Sequence, residues 1–212
     1  MNTYANNVAR RTFLTTLWRL ESKGKEFFYL DETNYNTWCS REYGCSVKGK
    51  RAVVKRTTSK GENVQVIARI GRGGLYVREL LRVLVQYLSL DDVVVVLDNA
   101  PCHSGVEDEF VATEFGKPTV LRLGPYSPML NPFENVFSAF KSDVKRSLRQ
   151  RRQELLTIPP NTTIKAHRGR ILEEASQDAL QVVTPSLCAK CFLHTRKFYE
   201  AVINLEDMQV GT

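Results

Sequence analysis

The chain alternates between segments whose apolar residues recur every three or four positions and segments that are apolar throughout. Asn6 to Lys23 is of the first kind. Val8, Leu14, Leu17, Trp18 and Glu21 recur at helical spacing, with Arg10, Arg11 and Arg19 on other faces, and Ser22-Lys23-Gly24 supplies a stop. EFFYLDET is of the second kind: Phe27 to Leu30 are strand formers, Asp31 falls at or near the strand end, and Glu32 stands beside it. Strands near Tyr35–Ser40, Ala52–Thr57 and Asn63–Ile70, punctuated by Gly44, Gly49 and Gly61, read as an antiparallel meander. Val77, Leu80, Leu81, Leu84 and Leu88 then predict an amphipathic helix between Tyr76 and Leu88. The run Val93 to Leu97 has no helical period and reads as a strand buried on both faces in the middle of a sheet. It ends on Asp98, and Asn99-Ala100-Pro101 breaks it.

Beyond the break, a short helix over Gly105–Phe115 and a strand over Val120–Leu123 predict a parallel pairing. Pro125, Pro128 and Pro132 make a rigid connector into the next helix. Asn131 is its N-cap, Pro132 its first residue, and Phe133, Val136, Phe137 and Phe140 its apolar face. Glu134 has capping-box spacing from Asn131, and local rules put a structural reading of this acid somewhat ahead. Ile158–Thr163 is a break before helices around Ile171–Leu180 and Ser186–Asn204. Cys188, Cys191 and His194 lack a fourth zinc ligand and follow a helical pattern, so they read as ordinary helix positions. The order of elements is α/β, with residues 1–152 as one domain and 153–212 as a linker and helices packing on it.

Charge adds a partner to this picture. The 212 residues carry a net charge of +7, which favours a polyanion, nucleic acid before an acidic membrane surface. Two basic stretches stand out: Lys48, Lys50, Arg51, Lys55, Arg56 and Lys60, and then Lys141, Lys145, Arg146, Arg149, Arg151 and Arg152. Either could track a phosphate backbone; a solvated hairpin edge and a complement to the helix C-terminus are the bland alternatives. No apolar run is long enough to span a bilayer, and MNTYANNVARR has no signal-peptide core. The five cysteines, an odd number, read as reduced thiols of an intracellular protein.

Two apolar strands that both lead into an aspartate change the picture again. With Glu134 behind the proline connector, Asp31 and Asp98 make three acids. Carboxylates converging without compensation repel and hold their protons more tightly. Magnesium, bound by a few carboxylates plus waters and phosphate oxygens, is the natural remedy. Two such ions about 3.5–4 Å apart would serve an in-line displacement at phosphorus.

LDNAPCH, then SPMLNPFEN with 35 residues between Asp98 and Glu134, and before them FFYLDET and TWCSREYG…KGKR, together resemble the catalytic domain of Tc1/mariner-type transposases of the DDE superfamily. The resemblance runs from about Phe27 to Arg146. It implies an RNase H-like mixed five-stranded sheet flanked by helices, with Asp31, Asp98 and Glu134 as catalytic and metal-binding triad for two Mg (or Mn) ions. It thereby tips Glu134 toward function. Asn99 and His103 match motif positions too, as supports of the acids or as DNA contacts, with packing and turn formation as equal alternatives. The implied partner is DNA, with a homodimer as an open alternative and neither a membrane nor a small-molecule cofactor. The implied location is the nucleus in a eukaryote and the cytoplasm otherwise. Met129 stands where the family usually has Asp, Phe137 where it has Trp, and the second acid gap is one residue longer than the commonest pattern. Family members usually carry helix-turn-helix domains ahead of this segment, so end recognition is expected to lie outside it. The alternatives are a transposon-derived nucleic-acid-binding protein that does not cut, and an RNase H-like nuclease acting on RNA or hybrids.

Overall fold

The computed structural model describes residues 2–38, 46–51, 63–71, 74–76, 89–103 and 116–208. The expected strand at 52–57, the expected helix beyond Tyr76 (77–88), the helix at 105–115, and the side chains of Lys55 and Arg56 lie outside this set. The chain divides into two compact units, one of Met1–Glu32, Ile67–Val136 and Thr184–Thr212, the other of Thr33–Val66 and Phe137–Val183.

In the first unit, helix α1 spans Tyr4–Glu21. Thr3 caps it by accepting from the Asn6 amide at 3.2 Å, and Gly24, at a φ of +75°, turns the chain away from its end. The buried face is Phe13, Leu14, Leu17 and Leu20. Trp18, expected on that face, is largely exposed and meets Tyr199 edge-on, whereas Arg10, expected outside, is buried.

Strands β1 (Glu26–Tyr35), β2 (Val64–Gly71), β3 (Gly74–Tyr76), β4 (Val93–Leu97) and β5 (Thr119–Arg122) make one sheet in the order β3-β2-β1-β4-β5. β1, β4 and β5 run parallel, while β2 and β3 pair antiparallel. All five residues of β4 are buried, as an apolar run between two parallel neighbours requires. Tyr29 of β1 pairs with Val96, so two residues further on the register sets Asp31 level with Asp98. β1 is longer than the sequence predicts: it continues past Asp31 because Thr33 and Tyr35 alternate inward as a strand demands. Asp31 therefore sits within the strand rather than at its tip. Asn36–Trp38, expected as strand, is a turn closed by the Asn36 side chain, which accepts from the Trp38 amide at 2.9 Å.

Helix α2 spans Pro132–Gln150, as the proline connector predicts. In the second unit its residues Phe137, Phe140, Val144 and Leu148 are buried, together with Leu155 of α3 (Arg152–Leu156) and Ile171, Leu172 and Ala175 of α4 (Ile164–Leu180). Tyr35 stacks edge-on to Phe140 at 5.6 Å and donates to Ser176. Arg151 ties Glu154 (2.8 Å) and Glu174 (2.6 Å), which raises its own pKa and holds the Glu154 carboxyl low. α4 starts seven residues earlier than its apolar pattern, because Thr163 caps it through the Ala166 amide.

The first unit closes with α5 (Pro185–Arg196) and α6 (Tyr199–Ile203), which Lys197 and Phe198 separate where the sequence suggests one helix. α6 packs on α1, and Tyr29 of β1 meets Phe192 of α5 at 5.4 Å. Cys188 and Cys191 are buried free thiols, and burial pushes the pKa of each up. No helix among the described residues is long and apolar enough to cross a membrane.

Candidate active site

The site is built where β4 runs out. Asp98 accepts from the Ala100 amide at 3.0 Å, a turn in which an aspartate folds back on its own backbone. This turn feeds the short 3-10 helix Pro101–His103, which returns His103 so that its Nδ1 donates to the same Asp98 oxygen at 2.7 Å. His103 is buried. Its Nε2 lies 3.7 Å from a Glu32 carboxylate oxygen and has no hydrogen-bond partner among the described residues. Arg122, opposite Leu97 at the end of β5, donates to the backbone oxygens of Asp98 (3.1 Å) and His103 (2.5 Å). Asn99, which shares the motif, donates to the Leu123 carbonyl at 2.6 Å and so ties the turn to the β5 side.

Asp31 is fixed from two directions. Its Oδ1 accepts from the Glu32 amide at 2.7 Å and its Oδ2 from the Asn131 side chain at 2.8 Å. Burial pushes its pKa up; those two hydrogen bonds pull the other way, Asp98 adds to the rise, and His103 subtracts from it. Two acids within electrostatic reach of one another is what the sheet register predicts.

Asn131 does a second job. Its Oδ1 accepts from the Phe133 amide at 3.1 Å, capping α2. Glu134 lies in the first turn of that helix and is exposed. It lines a cavity of about 500 Å³ with Asp98, Asn99, Gly124, Tyr126 and Asn131. The structure thus sets Asp98 beside Asp31 and places Glu134 on the wall of the cavity that Asp98 lines. Among the described residues, no three acids, histidines or cysteines already close into a metal cage.

The cavity wall from Gly124 to Ser127 is held from α1. Arg10 donates from Nε to the Pro125 carbonyl (3.3 Å) and from Nη2 to the Tyr126 carbonyl (2.9 Å), while Nη1 reaches Asn2 and Asn7, each at 2.9 Å. Burial lowers the Arg10 pKa and Asp207 partly restores it. Gly124 is required by this contact, since a Cβ there would lie 2.8 Å from the Arg10 Cα. Arg10, Arg122 and the link from Asn131 to Asp31 all escape sequence reasoning; the one available signal is that Arg122 lies within a strand expected to pair with the Asp98 strand.

The described residues of the two basic stretches belong to the second unit. Lys48, Lys50 and Arg51 are exposed in and after a turn in which the Lys50 amide donates to Val47. On α2, Lys141 and Lys145 are half-buried and Arg149 is exposed; their four-residue spacing sets them along one stripe. Arg146 pairs with Asp143.

A family model described as DDE superfamily endonuclease matches residues 26–157. No curated protein matches the chain. Among solved structures, a Mos1 strand transfer complex is similar with a TM-score of 0.57 at 15% identity, over 98% of this chain and 63% of that one. A Mos1 mariner paired-end complex with Mn gives 0.59 at 16%, over 94% and 62%. The corresponding complex with Mg gives 0.51 at 17%, over 95% and 63%. At such identity the likeness is one of fold, and this chain spans less than two thirds of the chains it matches. The family match covers more than half of the sequence and takes in Asp31, Asp98 and Glu134 alike: the chain belongs to the DDE superfamily endonuclease family.

Proposed function

We propose that this chain is the RNase H-like catalytic portion of a Tc1/mariner-type transposase, cutting DNA phosphodiesters and joining strands with the help of magnesium or manganese. The observation that carries this reading is the pairing of Asp31 and Asp98 across adjacent parallel strands, with Asp31 partly desolvated and its pKa raised. Such a pair is costly unless a cation joins it. The donor set fits a hard divalent ion: the Asp31 and Asp98 carboxylates each accept two hydrogen bonds from the protein and have further lone pairs to give. Asp31 and Asp98 would hold the metal, with Glu134 completing a second site from across the cavity. When bound, two such ions supply the Lewis acidity that activates the attacking oxygen and steadies the leaving one.

The chain's own residues set the geometry. Asn131 and the Glu32 amide fix the plane of the Asp31 carboxylate. His103 and the Ala100 amide do the same for Asp98, and Arg122 pins the backbone at both Asp98 and His103. Lys48, Lys50, Arg51, Lys141, Lys145, Arg146 and Arg149 would carry the DNA backbone, with Lys55 and Arg56 joining them. Likeness in fold to Mos1 structures captured as strand transfer and paired-end complexes supports the choice of DNA, and those with Mn and Mg support the choice of metal. Assembly as a homodimer and a nuclear location in a eukaryotic host complete the reading.

The test is nicking of duplex DNA by wild type and by Asp98→Asn, each with magnesium and with chelator. Wild type is expected to nick only with metal and the variant not at all. Equal nicking by both proteins would sink the reading. Salt-sensitive DNA binding with no metal uptake would instead favour a binding protein derived from such an enzyme.

A further inference from the structure

Tyr126 is the one residue of the cavity wall that combines a large exposed ring with a left-handed backbone, at 58% exposure and a φ of 52°. A non-glycine residue in this region is strained, because its Cβ crowds the following carbonyl oxygen. Nothing in the local sequence requires a side chain here, and glycine would adopt the turn without strain. The strain persists because the surroundings impose it. Arg10, buried to 1% exposure, grips the two carbonyls that flank the Tyr126 Cα, and Pro125 stiffens the approach. The Ser127 hydroxyl adds a bond to Pro125. A buried cation whose hydrogen bonds hold a strained, solvent-exposed aromatic is an arrangement that serves the ring rather than the core.

The ring stands on a cavity of about 500 Å³ whose other walls carry Asp98 and Glu134. A base or sugar ring has room there, and the two acids repel bare phosphate, so an anion can approach only with its own cations. An aromatic face on a rigid loop suits a flat heterocycle, binds it with little loss of conformational entropy, and tolerates any base because every base has a π face.

We propose that Tyr126 is the stacking platform for an unpaired nucleobase next to the scissile phosphate, making the Gly124–Ser127 loop a nucleoside subsite. This rests on the reading of the chain as a DNA-cutting enzyme. The subsite predicts no base selectivity, because no side chain other than the ring is asked to read an edge.

The experiment uses a duplex with a single-stranded 3′ tail, with 2-aminopurine placed at successive tail positions, bound in calcium to the full chain. Wild type is expected to quench one position selectively. Tyr126→Phe should retain that quench, and Tyr126→Gly should lose it and weaken tail binding about ten- to a hundredfold. An abasic site at the quenched position should weaken wild type but not Tyr126→Gly. Thermal melting supplies the control. Tyr126→Gly is expected to melt no lower than wild type, since it relieves backbone strain, so weakened binding in a folded variant is the signature. If Tyr126→Gly binds and quenches as wild type does, or if the abasic site weakens both equally, the subsite is wrong. A ring that instead docks a protein partner would give that same result. If wild type fails to nick DNA in magnesium yet binds the tail through Tyr126, the subsite stands and the catalytic reading falls.

Discussion

The Asn131 side chain donates to Asp31 across 100 positions of sequence while its carbonyl oxygen caps the helix that carries Glu134. One amide therefore sets the orientation of the first acid and the start of the helix bearing the third. Replacing it separates the two jobs. Asn131→Asp keeps the cap acceptor but loses the donor and faces Asp31 with a like charge. Asn131→Ala loses both. Asn131→Ala is expected to cost about 0.5–2 kcal/mol of stability from the cap, and to weaken metal binding about 10–100-fold, the usual effect of unseating a ligand's support. Asn131→Asp is expected to spare the cap energy and, by setting a further carboxylate against Asp31, to raise the affinity for a divalent ion. Urea unfolding and calorimetric metal titration read the two effects separately. Equal metal affinity in all three proteins would deny the amide any part in holding Asp31.

The raised Asp31 pKa has a sign that can be checked in metal-free protein. A carboxyl whose folded pKa exceeds its unfolded value holds its proton more tightly in the native state. Its contribution to stability is fully present below the unfolded value, near 4, and is lost as pH rises through the folded value. With chelator present, wild type is therefore expected to gain in melting temperature relative to Asp31→Asn as pH falls from about 7 toward 4. The difference between the two proteins cancels other groups. A difference that stays flat over that range would contradict the assignment.

Lys141, Lys145 and Arg149 occupy one stripe of α2, whereas Arg146 is paired with Asp143. If the stripe meets phosphates, each neutralised contact should lower the slope of log binding constant against log salt by up to about 0.9. Substituting alanine at the three stripe positions should thus weaken DNA binding and flatten its salt dependence, while Arg146→Ala should do less. Filter binding or anisotropy over a salt series decides it; an unchanged slope in the triple variant would remove the stripe from the interface.

What the sequence makes legible follows from how local each cause is. β4 is legible because five apolar residues in a row have no reading other than burial on both faces, and Asp98 at its end follows directly. The start of α2 is legible because Asn131 and Pro132 are its own punctuation. The length of β1 is not, since only Thr33 and Tyr35 turning inward carry the strand beyond Asp31. Arg10 is misread for a clearer reason. On a helical wheel an arginine among asparagines belongs outside, and what draws it in is a pair of carbonyls more than a hundred residues away. The tie between Asn131 and Asp31 is hidden for the same reason. Motif spacing names the acids; it says nothing about the neutral groups that hold them.

The grip of Arg10 on the Pro125–Tyr126 loop bears on where this enzyme unit begins. The family match starts at residue 26, after α1 has ended. A chain trimmed to residues 26–157 would retain Asp31, Asp98 and Glu134 but leave two loop carbonyls without their donor and Gly124 facing empty space. It would also lose the tail that holds α1 in place, where Asn7 donates to the Leu205 carbonyl and to Asp207, both at 3.0 Å. The shortest span that contains all the acids is therefore shorter than the shortest span that can keep them in register with the cavity wall.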